Sequence, residues 1–265
     1  MKETLNLIKI GGNIIDDEGK LQSFLSDFAR LSGPKVLVHG GGKIATEVAK
    51  GLGIEAKMVE GRRITDADML RVVTMVYGGL VNKNIVARLQ ALGARALGLT
   101  GADANIIPAQ KRPVQHIDYG FVGDIAEGAI QGQTLQLFLA NGLTPVLAPL
   151  THDGAGNLLN TNADTIASAV AVALSGLYRV NLTYCFEKKG VLADIADDNS
   201  VISHIDPRQY QALKADGTIV QGMIPKLDNA FNAIGAGVES VYICHADEVL
   251  HILEARQQAG TRLTA

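Results

Sequence analysis

Apolar positions along this chain fall into two alternating patterns, short continuous runs and longer stretches with an apolar residue every third or fourth position. Residues 5–10 form a run closed by Gly11 and Gly12, and residues 36–38 form a second, closed by His39 and then Gly40, Gly41 and Gly42. Between them Leu21, Phe24, Leu25, Phe28 and Leu31 trace the stripe of an amphipathic helix. Ile44, Val48 and Leu52 predict another helix, ended by Gly51 and Gly53. The longest helical stretch covers 69–92, with Gly78 and Gly79 inside it as a kink or a point of close packing.

The theme continues to the end of the chain. Helices are predicted at 134–140, at 162–174 with a stop at Gly176, at 230–234 and at 246–256, and strands at 144–148, 178–183 and 240–244. Asp206 and Pro207 read as an N-cap and first helical residue, opening a helix that stops at Gly217. Residues 98–132, rich in Gly, Pro and Asp, break the pattern, and 120–124 read as strands or hairpins outside the main wind. Buried strands alternating with helices predict an α/β protein with a mainly parallel central sheet covered on both faces. A seam between two lobes falls near Gly176.

Composition narrows the function classes. With 47% hydrophobic and 19% charged residues among 265, the chain can bury a large core and is not disordered. The 24 Lys and Arg against 27 Asp and Glu leave no basic excess to attract nucleic acid or a membrane surface. Cys185 and Cys244 lie far apart, without the spacing of a disulfide framework or a zinc module, and read as buried thiols in a reducing compartment. No signal-peptide core and no membrane-length apolar stretch stands out, so the expectation is a soluble cytoplasmic protein.

The candidate chemistry sits at strand ends. A glycine turn leading into a helix gathers bare N–H groups and a positive helix end, which suits phosphate or carboxylate, although ordinary tight turns use glycine as well. A Walker A loop fails here, because Leu37 stands where its glycine belongs and Ile44 where its Ser or Thr belongs. Gly40, Gly42 and Ala45 do fit a dinucleotide fingerprint, with Glu60 near the place of a ribose acid, but that reading leaves Lys9, Arg63 and Lys226 idle. Lys9, inside a buried strand, either snorkels past the strand end or sits as a cation beside a phosphate nest. Asn160, Asn162 and Asp164 precede the Ala/Val-rich helix; one of them suffices as a cap, and the surplus points to a ligand. Lys226 in the first turn of a helix opposes the helix dipole unless an anion binds there. Arg63 is either solvated or forks onto a carboxylate. No serine-nucleophile elbow, zinc-binding helix or triad partner for any of the six histidines is visible.

Eight short segments, taken in order, resemble the amino acid kinase family over essentially the whole chain. They are Lys9-Ile10-Gly11-Gly12, Val38-His39-Gly40-Gly41-Gly42, Gly61-Arg62-Arg63-Ile64-Thr65 and Gly79-Leu80-Val81-Asn82-Lys83, then Gly98-Leu99-Thr100-Gly101, Gly120-Phe121-Val122-Gly123-Asp124, Asn160-Thr161-Asn162-Ala163-Asp164 and Gly222-Met223-Ile224-Pro225-Lys226. The resemblance implies a three-layer αβα sandwich, with an acyl-amino-acid lobe over 1–176 and a nucleotide lobe over 177–265. It implies transfer of the γ-phosphoryl group of ATP, carried with Mg²⁺, to the side-chain carboxylate of an N-acylated glutamate, a step of arginine biosynthesis. Carried over by position, Lys9 and Lys226 neutralise the moving phosphoryl group, Asp164 orients both lysines, and Gly11, Gly12 and Gly190 face the nucleotide. Gly41 and Gly42 hold the attacking carboxylate, while Arg63 and Asn160 hold the other end of the acceptor. No resident metal site is implied. One segment departs from the family: its usual Leu-Thr-Asp-Val-x-Gly-Val reads Leu182-Thr183-Tyr184-Cys185-Phe186-Glu187-Lys188-Lys189-Gly190-Val191, without the aspartate and three residues longer. The family further implies a homodimer joined along the 69–92 helix and not inhibited by arginine. A different acceptor on the same fold, a non-catalytic ligand sensor and a dinucleotide oxidoreductase remain as alternatives.

Overall fold

The computed structural model describes residues 2–219, 223–254 and 259–265. One eight-stranded sheet runs through the molecule. In chain order its strands are β1 (Thr4–Ile10), β2 (Lys35–His39), β3 (Ala96–Leu99), β4 (Thr144–Leu147), β5 (Arg179–Phe186), β6 (His204–Ile205), β7 (Ser240–His245) and β8 (Thr261–Leu263). Across the sheet they lie in the order β6-β8-β7-β5-β1-β2-β4-β3. All neighbours from β7 to β3 are parallel; β8 turns back antiparallel to β7 and pairs parallel with β6. Strands β2 to β4 fill one side of β1 and β5 to β8 the other, so the chain order switches at β1 and leaves a crevice at the carboxyl ends of β1, β2 and β5.

Strict alternation along the strands divides the core in two. Leu5 and Leu7 of β1, Val36 and Val38 of β2, Val180 and Leu182 of β5 and Val241 and Ile243 of β7 enter one apolar cluster. Ile8 and Ile10, Leu37, Cys185 and Cys244 enter the other. The first is covered by the helices Gly132–Ala140, Ala163–Ser175, Pro207–Ala215 and Ile224–Gly235, and the second by Glu18–Arg30, Gly42–Gly51 and the long helical stretch that begins at Ala67. The result is a three-layer αβα sandwich, as the resemblance implied.

Local sequence accounts for the element ends. Asp17, Asp66, Asn162 and Asp206 each cap a helix through the side chain, and Asp206 completes a capping box with Gln209 ahead of Pro207. The stretch 67–91 stays helical throughout. Gly78 and Gly79 produce no break; they lie in a π-helical segment, Thr74–Val81, between the α-helices Ala67–Val73 and Asn82–Ala91. Periodicity missed β3, whose Gly98 reads as loop, and the short strands β6 and β8. Residues 120–124 do lie outside the main sheet, where Gly123–Asp124 pairs antiparallel with Gln110–Lys111. The expected last helix is a short 3₁₀ turn, Ala246–Glu248, followed by Val249–Leu253, and its end at Arg256 lies outside the described residues.

Leu7 is fully buried on β1, whereas Leu137 is 63% exposed. Urea denaturation is expected to show Leu7→Ala losing about 2–5 kcal/mol of stability. Leu137→Ala is expected to stay within about 0.5 kcal/mol of the parent.

Candidate active site

Two glycine turns meet at the carboxyl ends of β1 and β2. The Gly40 N–H donates to the Ile10 carbonyl at 3.0 Å, which locks the turns side by side. Gly11 and Gly41 each open a helix without a side-chain cap, so the first N–H groups of Gly12–Ile15 and Gly42–Gly51 are left for a ligand. Gly41 has φ +141°, a conformation that side chains rarely adopt, and a Cβ there would press on the Tyr77 ring at 3.2 Å.

Lys9 extends the row of Leu5 and Leu7, on the face covered by helix Ala163–Ser175. Its ammonium meets Asp164 Oδ1 of that helix at 2.7 Å, with the lysine side chain only 9% exposed. The alignment is that of a charge pair rather than of a directed hydrogen bond. Asn162 Oδ1 accepts from the N–H groups of Asp164 and Thr165 and fixes the first turn on which Asp164 rides. Lys226 stands in the first turn of Ile224–Gly235 and places its ammonium 3.8 Å from the centre of the Phe186 ring; Lys9 lies 5.6 Å from the same centre. Phe186 therefore supports both cations. Tyr184 is buried beside Lys9 in the sheet register, stacks on Phe186 and donates its hydroxyl to the Asp164 carbonyl. Burial pushes the Lys226 ammonium below the usual lysine range; the Asp164 charge opposes that shift, the Lys9 charge adds to it and Glu187 opposes it.

Two cavities flank this centre. One, of about 430 Å³, is lined by Gly40, Gly41, Gly42, Arg63, Asn160 and Asp164. Arg63 Nη2 donates to the Gly42 carbonyl and to Thr46 Oγ1, both at 2.8 Å, and this holds the guanidinium at the cavity wall. Asn160 donates to Thr65 Oγ1 at 3.0 Å and keeps its side-chain carbonyl free of that bond. The second cavity, of about 390 Å³, is lined by Gly11, Gly12, Gly190, Val191, Ile219 and Met223. Gly190 has a packing reason to be glycine as well, because a Cβ there would come within 2.7 Å of Thr261 Oγ1. Phe186 and Lys226 line both cavities, so one ammonium stands where the two chambers meet.

The structure thus brings together all ten residues singled out from the sequence: Lys9, Lys226 and Asp164 at the centre, Gly41, Gly42, Arg63 and Asn160 on one side, Gly11, Gly12 and Gly190 on the other. Gly222, which opens the motif that ends at Lys226, lies outside the described residues. Sequence reasoning missed Tyr77, which on a helix reads as core, and Phe186, which lies beyond the predicted end of its strand at 183 in the segment noted only for departing from the family. It also missed Arg112 and Asp124, which line the first cavity and pair through Arg112 Nε at 3.1 Å to both carboxylate oxygens. Their alternation in a short hairpin gave no signal of that pairing.

A chamber with guanidinium and glycine-turn donors, a second with a glycine-rich mouth and a paired-lysine junction between them define a small-molecule phosphotransferase on an α/β sandwich. The chain belongs to the amino acid kinase family, which it matches over residues 4–245. It is 60% identical to the acetylglutamate kinase of Cytophaga hutchinsonii over 99% of both chains, and 57% identical to that of Bacteroides thetaiotaomicron, again over 99% of both. Among solved structures it resembles the crystal structure of smu.665 from Streptococcus mutans UA159 with a TM-score of 0.75 at 30% identity, over 98% of each chain.

Family membership makes ATP the phosphoryl donor, and the Lys226 shift makes the pH profile informative. Activity that needs this ammonium declines as pH rises through its pKa, earlier than an ordinary lysine would allow. Asp164→Asn removes an opposing charge, so the alkaline limb of kcat/KM, which reports the free enzyme, is expected to move to lower pH, measured by initial rates across buffers of constant ionic strength.

Proposed function

We propose that this protein transfers the γ-phosphoryl group of Mg-ATP to the side-chain carboxylate of N-acetyl-L-glutamate, giving the acyl phosphate and ADP in arginine biosynthesis. The observation that carries the reading is Lys226 at the junction of the two cavities, with the Lys9–Asp164 pair beside it. In-line transfer requires the acceptor oxygen on one side of the phosphorus and the departing ADP oxygen on the other, and the two chambers offer that separation. A carboxylate is nucleophilic at neutral pH without a general base, so the task left to the protein is positioning and cancellation of charge between two anions.

The residues divide accordingly. Lys9 and Lys226 neutralise the phosphoryl group as it moves, and Asp164 sets their geometry without quenching both charges. Gly11 and Gly12 present N–H groups to the ATP phosphates, with Gly190 at the wall of the nucleotide chamber, and magnesium enters as part of the nucleotide substrate. Gly41 and Gly42 receive the attacking carboxylate, while Arg63 and Asn160 take the α-carboxylate and the amide. The first chamber is lined mainly from the 1–176 part of the chain and the second mainly from 177–265, which supports an acceptor lobe and a nucleotide lobe. Met75 and Leu80, each about half exposed on the 67–91 helix, support a homodimer contact along it. The free buried cysteines fit a cytoplasmic setting, and among the described residues no helix is long and apolar enough to cross a membrane.

A hydroxylamine-trapped assay tests the chemistry itself, because acyl phosphate is captured as a coloured hydroxamate. N-acetyl-L-glutamate is expected to give product, with N-succinyl-L-glutamate run in parallel to define acyl preference. Lys226→Ala and Lys9→Ala are each expected to lower kcat about 100- to 1,000-fold. Absence of product from both acceptors, with ATP bound to folded protein, would overturn the reading.

A further inference from the structure

Residues His39, Asn82, Lys83 and Gly98, which the reaction leaves without a role, converge on one buried network beneath the acceptor loop. His39, fully buried at the end of β2, has its Nδ1 2.7 Å from the Gly40 carbonyl oxygen and its Nε2 3.1 Å from Nδ2 of Asn82. Asn82, 1% exposed, also donates from Nδ2 to the Val146 carbonyl at 2.9 Å, and its Oδ1 accepts from the Lys83 ammonium at 3.1 Å. Lys83 donates in turn to the Gly98 carbonyl at 2.9 Å. Gly98 is glycine because a Cβ there would run into Asn82 Oδ1.

These contacts fix the protons. Turning the Asn82 amide over would set its oxygen against the Val146 carbonyl and its nitrogen against an ammonium, so Nδ2 is the donor to His39. Nε2 of His39 must then accept, and the ring proton resides on Nδ1, which donates to the Gly40 carbonyl. Burial lowers the His39 pKa to about 4, against the raising effect of the Gly40 bond and with the Lys83 charge adding to the fall, so the ring is neutral near pH 7. In a trans peptide the N–H points opposite to the preceding C=O. With the Gly40 carbonyl drawn toward the buried ring, the Gly41 N–H is turned the other way. Gly41 is buried and lines the acceptor cavity, and no protein acceptor takes its N–H among the described residues.

We propose that His39, held in one tautomer by Asn82, is a positioning residue that sets the Gly40–Gly41 peptide plane so that the Gly41 N–H faces the attacking carboxylate of the acceptor. The inference rests on the acceptor reading of the first cavity. Its effect reaches the acceptor through the loop backbone and leaves the nucleotide chamber untouched.

Two measurements test it. Long-range ¹H–¹⁵N spectra of the intact protein carrying ¹⁵N-histidine, with His39 assigned by its loss in His39→Asn, are expected to show a protonated Nδ1 and a bare Nε2. Protonated Nε2 in the neutral ring would overturn the proposal, whatever the enzyme phosphorylates. In steady-state kinetics, His39→Leu is expected to cost about 10- to 100-fold in kcat/KM for the acceptor. The KM for ATP should remain within about twofold, because uniform loss of structure would move both substrates together. His39→Asn, which keeps an N–H near the Nδ1 position, is expected to recover most of the loss. A folded His39→Leu with parental acceptor kinetics, or one no worse than His39→Asn, would overturn it. Wild-type protein that turns over neither acyl-glutamate would instead refute the acceptor reading and leave the tautomer measurement to judge the network.

Discussion

An ammonium group at the end of a buried parallel strand requires an answering charge, and much of this molecule is arranged around that requirement. Taking a lone cation out of water costs several kcal/mol, and a partner of good geometry offsets the cost only when it is held in place. Asp164 is that partner to Lys9, and its position depends on the Asn162 cap and on the packing of helix Ala163–Ser175 over the sheet face that also carries Leu5 and Leu7. The pair is left accessible from the crevice, so it is a buried interaction with one open side. An anion approaching from that side would meet cations whose cost of burial has already been met by folding.

The aromatic residues beneath the lysines solve a related problem. Two like charges beside one another repel and need support that does not cancel them. A ring face offers attraction without a full negative charge. Phe186 under Lys226, stacked on Tyr184, steadies the cation and preserves the positive potential.

Much of this was legible in the sequence. The strands with the clearest apolar runs, β1, β2, β5 and β7, and the helices with caps at Asp206 and near Asn162, follow from period and punctuation alone. Most of the ten residues drew notice because glycine turns, a lysine inside an apolar run and surplus polar residues before a helix violate local rules; Gly190, and the role expected of each residue, came from the family resemblance. What escaped was what violates nothing. β3 carries Gly98 for a neighbour distant in sequence, Asn82. Tyr77 and Phe186 sit where core residues sit and differ from core only in what lies above their rings. Arg112 and Asp124 are brought together by two-residue strands too short to show a period.

The π-helical segment Thr74–Val81 has a geometric effect on the glycine loop that follows β2. In an α-helix, positions five apart diverge by roughly 140° around the axis, so two such side chains serve different surfaces. Here the Asn82 N–H donates to the Tyr77 carbonyl as well as to that of Gly79, the first being the wider i to i+5 closure, which narrows that divergence. Tyr77 packs against Gly41 and Asn82 grips His39 from the same side of one helix. The widened turn acts as a phase shifter: it rotates the second half of the helix just far enough for both ends of a glycine loop to be braced by a single rigid rod.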